Sequence, residues 1–180
     1  MALNPGSHRL RPGQGTIEVR TYREGMAQMA GHDLIIDVRE WQASAEVGEG
    51  SALASFELEV DPRSLHVREG LHGVKPLTDR DRVKIVQEIE SKVLGRQPII
   101  FRSTAVHDSG EALRVEGELT IAGTTRPVVY ELELSPDGRL RGTLPVTQTE
   151  FGIKPYRGFM GALKVRDAVE IAVDAQLPPG

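Results

Sequence analysis

The sequence predicts a mainly β protein, in which about eight antiparallel strands form a sandwich or barrel and one amphipathic helix packs against it. Short runs of alternating apolar and polar residues recur between turn signals, as in an antiparallel sheet with one buried face. One segment instead has apolar residues at helical spacing. With 180 residues, of which 39% are hydrophobic and 27% charged, the chain is long and apolar enough for one globular domain.

The start of the chain differs from the rest. Residues 1–15 are rich in glycine and proline and show no hydrophobic period, so we expect a flexible arm there. The folded domain is expected to cover 16–177. The opening also lacks the apolar stretch of a secretory signal, which predicts a cytoplasmic protein. No segment approaches the ~20 apolar residues that a membrane-spanning helix requires.

The first half of the chain contains strands with one apolar face each. In the first strand, Ile17 and Val19 alternate with Glu18 and Arg20, so that the two apolar side chains lie on the same face. The same period of two predicts further strands at 34–38, 41–47 and 56–60.

The segment 78–94 is predicted to be the one helix. Its apolar residues recur at helical spacing and are Val83, Val86, Ile89 and Val93. Thr78 is a suitable N-cap, and Gly95 follows the last apolar residues as a stop signal. A single helix in a chain of strands is expected to act as a lid or buttress over one end of a barrel.

The second half repeats the strand pattern more clearly. The predicted strands are 98–106, 113–121, 128–134, 140–146 and 169–173. Gly117 lies on the apolar face of its strand, where we expect a bend or a gap for a ligand. Gly142 also lies on an apolar face. Because aromatic residues are only 4% of the chain, such a barrel would have room for a thin unbranched or prenyl chain.

Composition and motifs exclude several classes of function. The net charge is −4 and no basic run is present, so nucleic acid is not expected as a partner. The chain has no cysteine, and its five histidines show no metal-ligand spacing. Motifs for nucleophilic catalysis and for phosphate binding are also missing. We therefore expect no catalytic residues, no metal and no cofactor.

The segment 148–164 has two interpretations. Its aromatic residues are Phe151, Tyr156 and Phe159. They fit a hairpin whose rings close one end of the core, with the interleaved glycines at bends. Alternatively, Lys154, Tyr156 and Arg157 form a rim that contacts the polar head of a ligand. His32, which opens the strand 34–38, either faces the same mouth or caps the strand.

Four short motifs occur in one order along the chain. They are G-H-D-L at 31–34, F-R-S-T at 101–104, G-E-L-T-I-A-G-T-T at 117–125 and F-G-I at 151–153. In that order, and followed by the strand 167–173, they resemble the YceI-like family over about 16–175. The resemblance implies a lipocalin-like antiparallel barrel around an elongated hydrophobic cavity that binds a polyisoprenoid lipid.

With that resemblance, we expect a non-enzymatic carrier of a polyisoprenoid, an isoprenoid quinone or a similar long-chain lipid. The inward-facing residues expected to contact the tail are Ile17, Val19, Leu34, Ile36, Phe56, Phe101, Leu119, Ile121, Ile171 and Val173. The residues expected near the head group are His32, Lys154, Tyr156 and Arg157.

Two other functions remain open at this point. The first is a fully packed barrel that acts as a protein-interaction or stress-response module, with Trp41 and Leu94 at an exposed patch. Its partner would contact the helix or the segment 148–164, and a homodimer is also compatible with the sequence. The second is a small enzyme acting on an apolar substrate, which would require a perturbed His32 beside a carboxylate.

Overall fold

A curled antiparallel sheet dominates the structure, as the alternating sequence predicts. The computed structural model describes residues 3–50, 52–109 and 112–178. The strands of the first half are β1 (Gly6–Leu10), β2 (Gly15–Thr21), β3 (Arg23–Glu24), β4 (Asp33–Val38), β5 (Trp41–Val47), β6 (Leu53–Val60) and β7 (Leu65–Leu71). The strands of the second half are β8 (Ile99–Asp108), β9 (Leu113–Ile121), β10 (Thr124–Leu134), β11 (Arg139–Thr147), β12 (Arg157–Gly158), β13 (Leu163–Val165) and β14 (Ala168–Gln176).

These strands form two sheets in the described part of the chain. The main sheet has 11 strands in the order β1-β5-β6-β8-β9-β10-β11-β14-β2-β4-β7, and the small sheet has the order β12-β13-β3. The mainly β, antiparallel fold is confirmed. The strand number exceeds the predicted eight because the small sheet is built from strands too short to show a period, and because β1 and β7 were not predicted.

One long, bent hairpin joins the two ends of the main sheet. Its first arm is β4 followed by β5, and its second arm is β6 followed by β7. β4 runs into β5 through Arg39 and Glu40, although these strands lie near opposite ends of the sheet order. The Arg39 N–H donates to the Ser64 carbonyl oxygen at 3.0 Å, and the Asp61 N–H donates to the Glu40 carbonyl oxygen at 3.1 Å. These bonds continue the hairpin across its bend, so the sheet curls around an interior.

Strand β1 corrects the expectation of a flexible arm over 1–15. Its residues pair with 43–47 of β5 in antiparallel register, and Leu10 is buried. A strand at the edge of a sheet is held by backbone bonds to one neighbour, and most of β1 stays exposed. It therefore shows no apolar period, and the arm prediction is wrong for this strand. Residues 1 and 2 lie outside the described residues.

The helix predicted over 78–94 is confirmed. It consists of α1 (Asp79–Glu88), continued by a wider π-helical turn at Ile89–Val93. The Asp81 N–H donates to Thr78 Oγ1 at 3.2 Å, and the Thr78 N–H donates to Asp81 Oδ2 at 2.9 Å. This reciprocal pair is a capping box, which satisfies two backbone donors at the start of the helix.

The helix packs beside the free edge of the sheet. The Arg82 guanidinium donates to the Val67 carbonyl oxygen of β7 at 3.0 Å. Such a contact protects an edge strand from pairing with another chain. Val83 is 57% exposed, so it does not belong to the inward stripe as the sequence predicted. Ile85, which was not predicted, faces the interior together with the predicted Ile89 and Val93.

An aromatic row occupies the space beside Gly117. A Cβ atom at Gly117 would lie 2.7 Å from the Phe101 ring and 2.5 Å from the Arg102 carbonyl oxygen. Phe101 also contacts the rings of Phe56 and Tyr130, with centroid distances of 6.3 and 6.2 Å. Gly117 therefore makes room for a side chain of the protein, and the expected gap for a ligand is not there.

Candidate functional site

The curled sheet surrounds a cavity of about 860 Å³. This volume lies within the range of roughly 300–1,000 Å³ that is typical of small-molecule sites. Each of the 11 strands of the main sheet contributes at least one apolar side chain to the lining. The interior is thus not filled by side chains, contrary to the alternative of a fully packed barrel.

The structure brings the predicted tail-binding residues together. All of them line the cavity: Ile17, Val19, Leu34, Ile36, Phe56, Phe101, Leu119, Ile121, Ile171 and Val173. Val19 of β2 lies directly opposite Ile171 of β14 in the sheet register. Their contact with a ligand stays a prediction. Gly142 adds no room, because a Cβ atom there would collide with Leu132.

Three of the four residues predicted near a head group also line the cavity. They are His32, Lys154 and Tyr156. His32 Nε2 lies 2.6 Å from the Lys75 carbonyl oxygen, so a hydrogen bond holds the imidazole against the loop that precedes α1. Arg157 differs from the expectation, since it lies exposed on β12 and outside the cavity lining.

The helix contributes charged residues whose place in the cavity lining the sequence analysis did not predict. Lys84, Glu88 and Lys92 recur at intervals of four and line the cavity beside Ile85 and Ile89. The Lys92 Nζ atom lies 3.5 Å from Glu88 Oε1. The signal was present in the sequence, because side chains four residues apart share one face of a helix.

Three loops, which we call the rim loops, surround the opening of the cavity. They comprise 25–31, 72–77 and 154–164. The Ala27 N–H donates to the Ala162 carbonyl oxygen at 2.8 Å, and the Val74 N–H donates to the Met29 carbonyl oxygen at 3.0 Å, which joins the three loops. Exposed rim residues, among them Lys75, Lys154 and Tyr156, belong to the cavity lining. The cavity therefore opens between these loops and α1, whose exposed residues Asp81 and Lys84 also belong to the lining.

The two interpretations of the segment 148–164 each hold for part of it. Phe151 is 3% exposed and closes part of the core, as the hairpin interpretation predicts. Tyr156 and Phe159 are 54% and 67% exposed and belong to the rim loops.

Trp41 and Leu94 do not form an exposed patch. They are 8% and 6% exposed, and both line the cavity. Trp41 is the only tryptophan in the sequence, so its fluorescence reports on the interior of the barrel.

A family model described as the YceI-like domain matches residues 16–177. The chain belongs to the YceI-like family. Comparison with curated protein sequences found no match. Within the described residues of this YceI-like chain, the helices are all too short or too polar to span a bilayer.

Solved structures share the YceI-like fold at low sequence identity. The crystal structure of BcnA from Burkholderia cenocepacia matches with a TM-score of 0.65 and 16% identity, covering 90% of this chain and 95% of BcnA. The YCEI protein of Campylobacter jejuni matches with a TM-score of 0.54 and 12% identity, covering 78% of this chain and 83% of that protein. A mutant of the latter, with a monobromobimane guest, matches with a TM-score of 0.56 and 11% identity, covering 78% and 82%.

Tyr130 in the cavity wall predicts a loss of stability at alkaline pH. Burial, with the Glu150 carboxylate as a second cause, raises the pKa of Tyr130 to about 12. An unfolded tyrosine titrates near about 10. The contribution of Tyr130 to stability is therefore complete below the unfolded pKa and is lost as the pH rises through the folded pKa. The free energy of unfolding falls by about 1–2 kcal/mol after solvent screening.

The measurement is the urea midpoint of the YceI-like chain and of Tyr130→Phe as the pH rises from about 9 to about 11. We expect the wild type to lose more stability than the variant over this range. Tyr22, whose pKa is also raised by its hydrogen bond to Glu170, is present in both proteins and serves as the internal control. Equal pH dependence in the two proteins would disprove the role of Tyr130.

Proposed function

We propose that this chain binds a long apolar lipid, of the polyisoprenoid, isoprenoid-quinone or similar class, inside the barrel. The observation that carries the proposal is the cavity of about 860 Å³ with apolar side chains from all 11 strands in its wall. Water in an apolar cavity lacks the two to four polar partners that hold an ordered water. An apolar tail that replaces such water gains the hydrophobic free energy of transfer.

Family membership supports the same ligand class. YceI-like proteins are known as polyisoprenoid-binding barrels, and this chain matches the family model over nearly its whole length. At ~0.8 kcal/mol per buried methylene, about ten buried carbons already correspond to micromolar affinity. Affinity therefore does not require a very long tail, and the volume and shape of the cavity set the tail length that is accepted.

We expect the polar end of the ligand to lie at the rim loops. Lys75, Lys154 and Lys164 line the opening, and none of them has an ion-pair partner among residues 3–50, 52–109 and 112–178. Tyr156 adds a hydroxyl group to the same region. A ligand with its tail in the barrel would thus hold its polar head beside these groups. Lysine ammonium groups donate hydrogen bonds and carry positive charge, so they favour a head group rich in oxygen.

Fluorescence of Trp41 tests the proposal. A quinone ring quenches tryptophan, so a long-chain ubiquinone in dilute detergent is expected to quench Trp41 saturably with one equivalent bound. A polyprenol, which has no quinone ring, should compete and restore the emission. The matched control is the quinone head group without its tail, which should give only weak, non-saturable quenching. Identical quenching by the tailed and tailless quinones would contradict binding in the cavity.

A further inference from the structure

Large apolar side chains protrude from the rim loops. Met26 and Met160 are fully exposed, and Met29, Val74 and Phe159 are largely exposed. These include every methionine in the described residues, although methionine and phenylalanine are residues that proteins usually bury. Several large exposed apolar residues on neighbouring loops mark a surface that contacts something other than water.

The backbone at the tip of the third rim loop holds two of these side chains outward. Phe159 and Met160 have φ angles of 48° and 53°, in the left-handed region that residues with a side chain seldom adopt. They lie in the sequence G-F-M-G, between Gly158 and Gly161. Strained backbone of this kind concentrates at sites where proteins bind partners or ligands.

The rim loops are also positively charged. They contain Lys75, Lys154, Arg157 and Lys164 and no aspartate or glutamate, whereas the whole chain has a net charge of −4. Charge and apolar surface therefore coincide on loops that border the opening of the cavity.

We propose that the rim loops dock the protein on the surface of an anionic lipid bilayer. The apolar tips would enter the boundary between head groups and acyl chains, while the cations contact anionic head groups. Because the cavity opens at the same rim, an apolar ligand would pass between bilayer and barrel without crossing water. This inference goes beyond ligand binding, since the rim binds the bilayer whether or not the cavity is occupied.

A bilayer fits the rim better than a second copy of the chain. A two-fold symmetric dimer brings the same patch of each copy together. Here that arrangement would bring the four cations of one rim close to those of the other. An anionic bilayer complements this charge and accepts apolar tips that protrude separately from three loops.

Vesicle flotation tests the proposal. The vesicles are phosphatidylcholine alone or an equal mixture of phosphatidylcholine and phosphatidylglycerol. We expect at least about tenfold stronger binding to the anionic vesicles, because each cation near the surface contributes about fivefold. Added salt should reduce this preference. The variant Met26→Ser/Phe159→Ser/Met160→Ser is expected to bind at least about tenfold more weakly than the wild type.

The matched control is Val83→Ser/Val129→Ser, which removes exposed apolar side chains outside the rim loops and should bind as the wild type does. None of the three substituted rim residues lines the cavity, so quinone quenching of Trp41 in detergent should be unchanged in the rim variant. This separates a failure of docking from a failure of ligand binding.

Three results would overturn the proposal. The first is that neither kind of vesicle binds, and the second is that the rim variant binds as well as the wild type. The third is a dimer in sedimentation equilibrium that dissociates in the rim variant while vesicles remain unbound. The third result would assign the rim to a contact between two copies of the chain.

Discussion

Replacing Val19 by tryptophan is expected to weaken lipid binding more than tenfold. Val19 faces the cavity opposite Ile171, and an indole ring at this position occupies space that the tail would otherwise fill. Displacing only two methylenes from an apolar cavity costs about 1.6 kcal/mol, which is more than a tenfold change in affinity. The measurement is binding of a polyprenol by native mass spectrometry, which does not depend on tryptophan fluorescence.

Val129→Trp is the matched control for this substitution. Val129 is 49% exposed on β10 and lies outside the cavity lining, so the same change there should leave binding within about twofold of the wild type. Ile171→Trp provides a second obstruction from the neighbouring strand β14. If both cavity variants keep wild-type affinity, the ligand does not occupy this part of the barrel.

Phe101→Ala is expected to lower the free energy of unfolding by about 3–5 kcal/mol. The Phe101 ring is 7% exposed, lies in the space that Gly117 leaves free and contacts two other aromatic rings. Aromatic pairs at such distances add stability beyond the area that they bury. Urea unfolding, followed by circular dichroism, measures the change.

Phe159→Ala is the control, because it removes the same side chain from an exposed position on the rim. It should change the unfolding free energy by less than about 0.5 kcal/mol. Comparable losses in the two variants would show that the aromatic row does not stabilise the barrel.

The sequence predicted the elements whose pattern is local. Alternation along strands such as β9 reflects one buried face, and the observed burial follows it residue by residue. The helix could be predicted equally well, because Thr78 and Asp81 form the capping box within a single turn. The apolar cavity residues could be predicted for the same reason, since an inward-facing residue has to be apolar.

The features that sequence reasoning missed depend on distant residues. Strand β1 is defined by its pairing with β5, and its own residues show no period. At Gly117 the sequence predicted a bend or a gap for a ligand. The ring that fills this space, Phe101, comes from another strand and is brought there only by the fold. Arg157 was predicted beside the cavity from its neighbours in sequence, but the pairing of β12 with β13 holds its backbone where the side chain stays exposed. The rim likewise becomes visible only when three separate loops meet.

Native mass spectrometry of the purified protein, followed by organic extraction and lipid analysis, tests the central claim most directly. We expect a lipid with a long apolar tail, bound with one molecule per barrel, that is lost or much reduced in Val19→Trp and retained in Val129→Trp. A protein that carries no lipid, and that neither binds added isoprenoids nor gains thermal stability from them, would contradict a lipid-binding cavity.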